Sequence, residues 1–231
     1  VYGLYDEDII LWRNIPAAFG VEHFRLARHD GAGRYVEGGY MLMANQVQPG
    51  TLAATLPVIG DDVGEWMTQL PRIGGTVGWI DDPADELGEL KLNDDGSTKM
   101  DYSYGPATQA ILRDLLKKQA LVQFEVGAKK LAVAGSTGPV LNSKDDIAAI
   151  DQLPIRAGGL TLAAPHPSGG CVMGRSAKDS VVDSTHRVHG FSNLFVADSS
   201  VFPTPVSMDP SFTIMAFSYM AARQVHEQLV A

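Results

Sequence analysis

Two stretches decide how this chain reads: Ala164–Gly174, APHPSGGCVMG, and Asn193–Tyr219, NLFVADSSVFPTPVSMDPSFTIMAFSY. The first sets His166 in a turn built from Pro165, Pro167, Gly169 and Gly170, where a backbone free of bulky side chains lets a flat ligand come close. The second reads strand, turn, helix. Asn193–Val196 is a short apolar run that a serine-rich turn ends at Asp198. Asp209-Pro210 then makes a helix start, an N-cap carboxylate followed by proline at the first helical position. From Ser211 to Leu229 there is no breaker. Phe212, Met215, Tyr219, Ala222 and Val225 recur at spacings of three or four, with Ile214, Phe217 and Met220 on another side, which predicts a helix buried on most of its circumference. The N-terminus of such a helix offers unpaired N–H groups and partial positive charge to an anionic group.

The 231 residues, 45% of them hydrophobic, are enough for one large domain or two small ones of a soluble globular class. A formal charge of -9, spread along the chain, argues against a nucleic-acid or anionic-membrane surface. The single cysteine excludes an intrachain disulfide framework. No run approaches the roughly 18 apolar residues of a membrane span, and no signal peptide is visible. The opening Val1-Tyr2-Gly3, without an initiator methionine, suggests a piece of something longer.

Working outward from the two stretches, Ile9–Trp12, Tyr40–Met43 and Leu52–Ile59 read as strands or short helices, with breaks at Asn14-Ile15-Pro16, Gly38-Gly39 and Pro49-Gly50. The methionines of Glu37–Gln48 suit core packing. Gly75–Ile80, Gly88–Leu92 and Lys99–Tyr104 read as antiparallel strands, the last two joined by the hairpin turn Asp94-Asp95-Gly96. Carboxylates in these turns suit bonding to their own backbone rather than a metal. Pro106–Val126 reads as a helix with Ala110, Ile111, Leu115 and Leu121 on one face. Leu131–Leu141 reads as one strand with a Gly/Pro turn, and Ser143–Asp146 as the cap of a short helix through Ile150. None of the glycine pairs has the G-x-G-x-x-G spacing of a dinucleotide fingerprint, and there is no P-loop, so most of the pyrophosphate site of any nucleotide cofactor is not expected in this chain.

HPSGGCVMG (His166–Gly174), SVVDSTHRVHGFSNLFVADSSVFPT (Ser180–Thr204) and DPSFTIMA (Asp209–Ala216) together resemble the glucose-methanol-choline (GMC) oxidoreductase family of flavoenzymes, in the family's order and spacing. The resemblance is strong over Gly159–Leu229 and looser before it. It implies an α+β fold: an antiparallel substrate-domain sheet with flanking helices, plus the closing strand and helix of an FAD-binding Rossmann-type domain whose N-terminal half is absent. Residues 1–158 would be a partial substrate-binding domain and 159–231 the C-terminal segment with the active-site histidine. The cofactor would be FAD, the partners a small-molecule alcohol, an unassigned electron acceptor and the missing FAD-binding half.

The resemblance gives His166 the role of base over the flavin. Its chemistry agrees, because hydride removal from an alcohol leaves a proton on oxygen and a histidine is the usual group to take it. Asp209 falls where the family carries its second active-site residue, normally His or Asn; a carboxylate there either caps the helix or pairs with His166. Asp198 and Ser199 match the segment that touches the flavin's ribityl and phosphate side, and Pro210 and Ser211 the helix start that approaches the ring's pyrimidine edge. Asp198 also suits a plain turn. Tyr40, Met41, Trp66 and Trp79 are candidates for shaping the substrate pocket. A Cys171 nucleophile is disfavoured by its apolar neighbours, and a metal cluster of Asp183, His186, His189 and His166 by H-x-x-H spacing off a helix. Arg187 and His189 are expected to face solvent or pair locally. The chain is therefore expected to be the C-terminal portion of an FAD-dependent alcohol oxidoreductase. The alternatives are a non-catalytic binding or interaction domain and, more remotely, a Cys/His hydrolase.

Overall fold

A computed structural model describes residues 1–13, 19–83, 85–206 and 208–230, so the expected break at Asn14-Ile15-Pro16 lies outside the described residues. The chain divides into two compact units, Val1–Gly88 with Tyr102–Leu162, and Glu89–Asp101 with Ala163–Ala231.

The first unit is built on a six-stranded sheet, antiparallel throughout. Its strands are β1 (Tyr2–Leu4), β2 (Gly20–Val21), β5 (Tyr40–Ala44), β6 (Ile73–Ile80), β9 (Lys130–Ala132) and β10 (Val140–Leu141), in the order β10-β9-β1-β6-β5-β2. A separate small pair, β3 (Arg28–His29) and β4 (Tyr35–Glu37), precedes β5. Alternation of side chains puts a core on each face. Tyr40, Leu42, Leu131 and Val133 pack with Ile111, Leu112, Leu115, Leu116 and Ala120 of helix α3 (Pro106–Glu125). Tyr2, Ile73 and Ala132 pack on the other side with Leu52 and Leu56 near helix α1 (Pro49–Thr55) and Trp66 of helix α2 (Asp61–Thr68).

The expectations meet this structure unevenly. Leu52–Ile59 resolves to the end of α1, and Ile9–Trp12 to a 3-10 turn at Leu11–Arg13. The long segment Leu131–Leu141 is two short strands rather than one, because Gly135 and Gly138 fold it back on itself. On α3 the buried face runs through Leu112, Leu116 and Ala120, whereas Leu121 is exposed. Ser143 and Asp146 do form a capping box, here on a 3-10 helix, Lys144–Gln152. At its start α3 carries Pro106 in the first turn, and the N–H groups of Ala107 and Thr108 donate to the Glu86 carboxylate, both at 2.8 Å.

Inside this unit two polar networks tie separate elements together. The Gln123 amide donates to the Val1 carbonyl at 3.1 Å and to Thr76 Oγ1 at 3.0 Å, and its oxygen accepts from Tyr5 at 3.2 Å. Asp114, facing the sheet from α3, accepts from the Tyr40 hydroxyl at 2.7 Å, the Gly38 N–H at 3.1 Å and the Tyr35 hydroxyl at 3.3 Å. Burial, reinforced by the Asp114 charge, pushes both phenols up.

The second unit contains a two-stranded ribbon, β7 (Glu89–Leu92) with β8 (Thr98–Asp101), and the C-terminal segment ending in helix α4 (Ser211–Val230). The expected strand at Asn193–Val196 is reduced to an isolated bridge of Phe195 with Arg187; elsewhere in the unit Val182 bridges Val188 and Met173. The 3-10 turn Ser199–Val201 follows it. Nor is α4 buried on most of its circumference: Ala221 is its one buried residue among those described, Ile214 and Phe217 pack inward, and Phe212, Met215 and Tyr219 form an exposed apolar stripe. No helix among the described residues is long and apolar enough to cross a membrane.

Asp114→Ala strands the buried Tyr40 hydroxyl and the Gly38 N–H, and we expect it to destabilise the first unit by about 3 kcal/mol. Asp114→Asn, which keeps an acceptor oxygen, should cost about 1 kcal/mol. Urea unfolding of the variants against the parent chain measures both.

Candidate active site

The small core of the second unit is Val182, Val201 and Phe202, with Met173, Val188, Val196, Ile214 and Phe217 packed against it. Around it the chain is held by hydrogen bonds between segments far apart in sequence. The N–H of Cys171 donates to the Ser200 carbonyl at 2.8 Å, that of Met173 to Val201 at 2.9 Å, and Ser199 Oγ to the Pro167 carbonyl at 2.9 Å. Gly169, at φ +86, makes the backbone reversal that this pairing needs. Helix α4 is tied to the same frame by the Phe202 and Phe217 rings, whose centroids lie 5.1 Å apart, and by Ser218 Oγ donating to the Ala197 carbonyl.

This frame brings His166 and Asp209 together. His166 Nε2 lies 3.4 Å from Asp209 Oδ1, and both side chains are partly open to solvent, at 30% and 48%. Asp209 thus directs its carboxylate at the histidine from just ahead of α4. An imidazole nitrogen beside a carboxylate can take a proton from a bound hydroxyl while the negative charge holds the cation that results.

The four candidate cofactor residues lie in two places, the turn after Ala197 and the start of α4. Asp198 accepts from the Ser200 N–H at 2.8 Å as the cap of the following 3-10 turn. These Ser200 hydrogen bonds hold its carboxyl below the usual range. Ser199 faces Pro167 across the turn. Pro210 is buried and its carbonyl accepts from the Ile214 N–H at 2.8 Å, while Ser211 is exposed at the first turn of α4. The start of α4 offers N–H groups and partial positive charge to an anionic or electron-accepting group.

Other candidates lie elsewhere. Tyr40 and Trp66 belong to the two cores of the first unit; Met41 is buried, and Trp79 half-buried, on β5 and β6. Cys171 is half-buried. Among the described residues no group of three His, Cys, Asp or Glu side chains is placed to hold a metal ion. Arg187 pairs with Asp183 at 3.6 Å, and His189 Nε2 with Ser180 Oγ at 3.0 Å. The surprise is His186, wholly buried at φ +68. Its Nδ1 lies 3.0 Å from the Val196 carbonyl, which can only accept, so Nδ1 carries the proton of that bond. Its ring meets Phe217 edge-on, with centroids 5.8 Å apart. Nothing in the local sequence marks this histidine as core, since its neighbours Thr185 and Arg187 read as a polar loop.

The family model described as GMC oxidoreductase matches residues 83–218, more than half of the chain. An uncharacterized GMC-type oxidoreductase of Mycobacterium tuberculosis is 26% identical over 230 residues, covering 99% of this chain and 34% of the relative. A long-chain-alcohol oxidase of Arabidopsis thaliana is 25% identical over 143 residues, covering 58% of this chain and 20% of the relative. Among solved structures, the pyridoxine 4-oxidase of Mesorbium loti aligns at a TM-score of 0.41 and 17% identity, over 87% of this chain and 36% of that one. The chain spans about a third of the length of the mycobacterial relative. By its matched residues this chain belongs to the GMC oxidoreductase family.

Proposed function

We propose that this chain is the C-terminal part of an FAD-dependent oxidoreductase acting on the CH–OH group of an alcohol, with His166 as its base. The observation that carries the reading is the approach of His166 and Asp209, 43 residues apart in sequence, to 3.4 Å at the head of α4. FAD, when bound, supplies the acceptor for the hydride that leaves the carbinol carbon. The His166 imidazole receives the hydroxyl proton as the C=O bond forms, and Asp209, which faces its Nε2, holds the resulting imidazolium and orients the ring. Pro210 and Ser211 present the start of α4 to the ring edge, where its N–H groups meet accumulating negative charge. Asp198 and Ser199 flank the ribityl side.

On this reading residues 1–158 are the substrate-binding part and 159–231 the segment that completes the flavin site. The exposed stripe of Phe212, Met215 and Tyr219 on α4 is then the surface that a Rossmann-type FAD-binding half covers. The same stripe supports a second reading, a non-catalytic domain that uses α4 to bind another protein.

The test joins this chain to its FAD-binding half and follows the flavin absorption band anaerobically during addition of alcohols. We expect bleaching, slowed about a hundredfold or more by His166→Ala with FAD still bound. A colourless protein that takes up no FAD would overturn the flavoenzyme and leave the binding domain.

Asp209→Asn keeps the size of the side chain and removes its charge. Loss of one charge-assisted contact to the imidazolium should slow flavin reduction about ten- to a hundredfold in single-turnover kinetics. An unchanged rate would reduce Asp209 to a structural element ahead of the helix.

A further inference from the structure

The ribbon of β7 and β8 carries a charge pattern that works against itself. Glu89 faces Asp101, Leu90 faces Met100, Lys91 faces Lys99 and Leu92 faces Thr98. Side chains alternate across a strand, so one face holds Leu90, Leu92 and Met100 and the other holds the four charges. The three apolar residues are 66%, 77% and 71% exposed. On the charged face acid lies directly opposite acid and base opposite base, an arrangement that destabilises an antiparallel pair. Along β7 alone, Lys91 Nζ finds Glu89 Oε2 at 2.9 Å.

The turn fixes which backbone groups are free. The Asn93 N–H donates to the Ser97 carbonyl at 2.9 Å, so these two residues form a hydrogen-bonded pair. Pairs alternate along an antiparallel ladder. Glu89 and Lys91 therefore bond across to β8, and the N–H and C=O groups of Leu90 and Leu92 point outward along an edge that no strand among the described residues covers, a template for another strand.

We propose that the β7 edge is an interface between two copies of this chain, paired antiparallel about a two-fold axis at Leu90. The axis places Leu90 opposite Leu90 of the second copy, with outward backbone groups meeting outward backbone groups. Glu89 then stands opposite Lys91 of the second copy, and Lys91 opposite its Glu89. Across the resulting four strands each charged row reads Asp101, Glu89, then Lys91 and Lys99 of the second copy. Two acids meet two bases, and the repulsion inside each ribbon is offset by its partner. The other face becomes one apolar surface centred on the two Leu90 side chains. The β8 edge turns out Thr98 and Met100, whereas both outward residues of β7 are leucines, so β7 joins the larger apolar area.

Sedimentation of the 231-residue chain should show a concentration-dependent dimer. Glu89→Lys sets lysine against lysine at two symmetric positions and should weaken the dimer about tenfold or more, and adding Lys91→Glu should restore it. In a Cys171→Ser background, Leu90→Cys should oxidise to a covalent dimer, since hydrogen-bonded partners sit about 5.5 Å apart at Cα, within disulfide reach. Leu92→Cys, which has no copy of itself opposite, should not. A chain that stays monomeric at every concentration, a dimer indifferent to the charge exchange, or cross-linking through Met100→Cys in place of Leu90→Cys would overturn the proposal.

Discussion

The candidate site depends on backbone bonds between Pro167–Met173 and Ser199–Val201. Cys171 and Met173 each donate to a carbonyl of the second segment, and Ser199 returns a hydroxyl to Pro167. These bonds belong to no regular sheet, so side chains must hold their register. Val182, Val201 and Phe202 do so by filling the space between the loops and α4. Free energy from burying a few apolar side chains therefore sets where a titratable pair sits. Gly169 is part of the same constraint, since the reversal after His166 needs a positive φ that a side chain would oppose.

Buried His186 extends this frame. It spans the gap between the 183–189 loop and the strand-like run before Asp198, with one ring nitrogen on the Val196 carbonyl and its plane against Phe217. Among the described residues the other ring nitrogen, also buried, has no hydrogen-bond partner. An unpaired buried acceptor costs free energy, so the site is held in place at a local expense that the Asp183 turn below it offsets. Asp183 accepts from the N–H groups of Thr185 and Arg187, at 2.8 and 3.2 Å, which lets His186 adopt a conformation that L residues seldom take.

Local chemistry made part of this legible in the sequence. The Asp94-Asp95-Gly96 turn, the strand to Ile80, the helix begun by Pro106 and the Ser143 capping box all follow from residues within one turn of each other, and each stands where those residues put it. What failed depended on partners distant in the chain. Periodicity along Ser211–Leu229 found the helix, but apolar residues on every side could not say that Ile214, Phe217 and Ala221 pack inward while Phe212, Met215 and Tyr219 stay exposed. On α3 the pattern of four missed Leu112 and Leu116, because the sheet below is wide enough to cover two adjacent rows. Spacing alone does not encode whether Asp209 only caps the helix or also meets His166; in the structure the two side chains lie 3.4 Å apart.

The two open apolar surfaces of the second unit call for different partners. On α4 the stripe of Phe212, Met215 and Tyr219 carries no charge that would orient a copy of itself; a helix face of that kind suits a complementary surface of different shape. The ribbon is the opposite case. Its acids and bases are segregated into rows, so a second ribbon laid antiparallel is the simplest surface that neutralises both rows at once. A heterologous partner would need a matching row of each sign at strand spacing, whereas a two-fold axis supplies both from the one sequence. The unfavourable pairing within a single ribbon is thus the feature that makes pairing between copies specific.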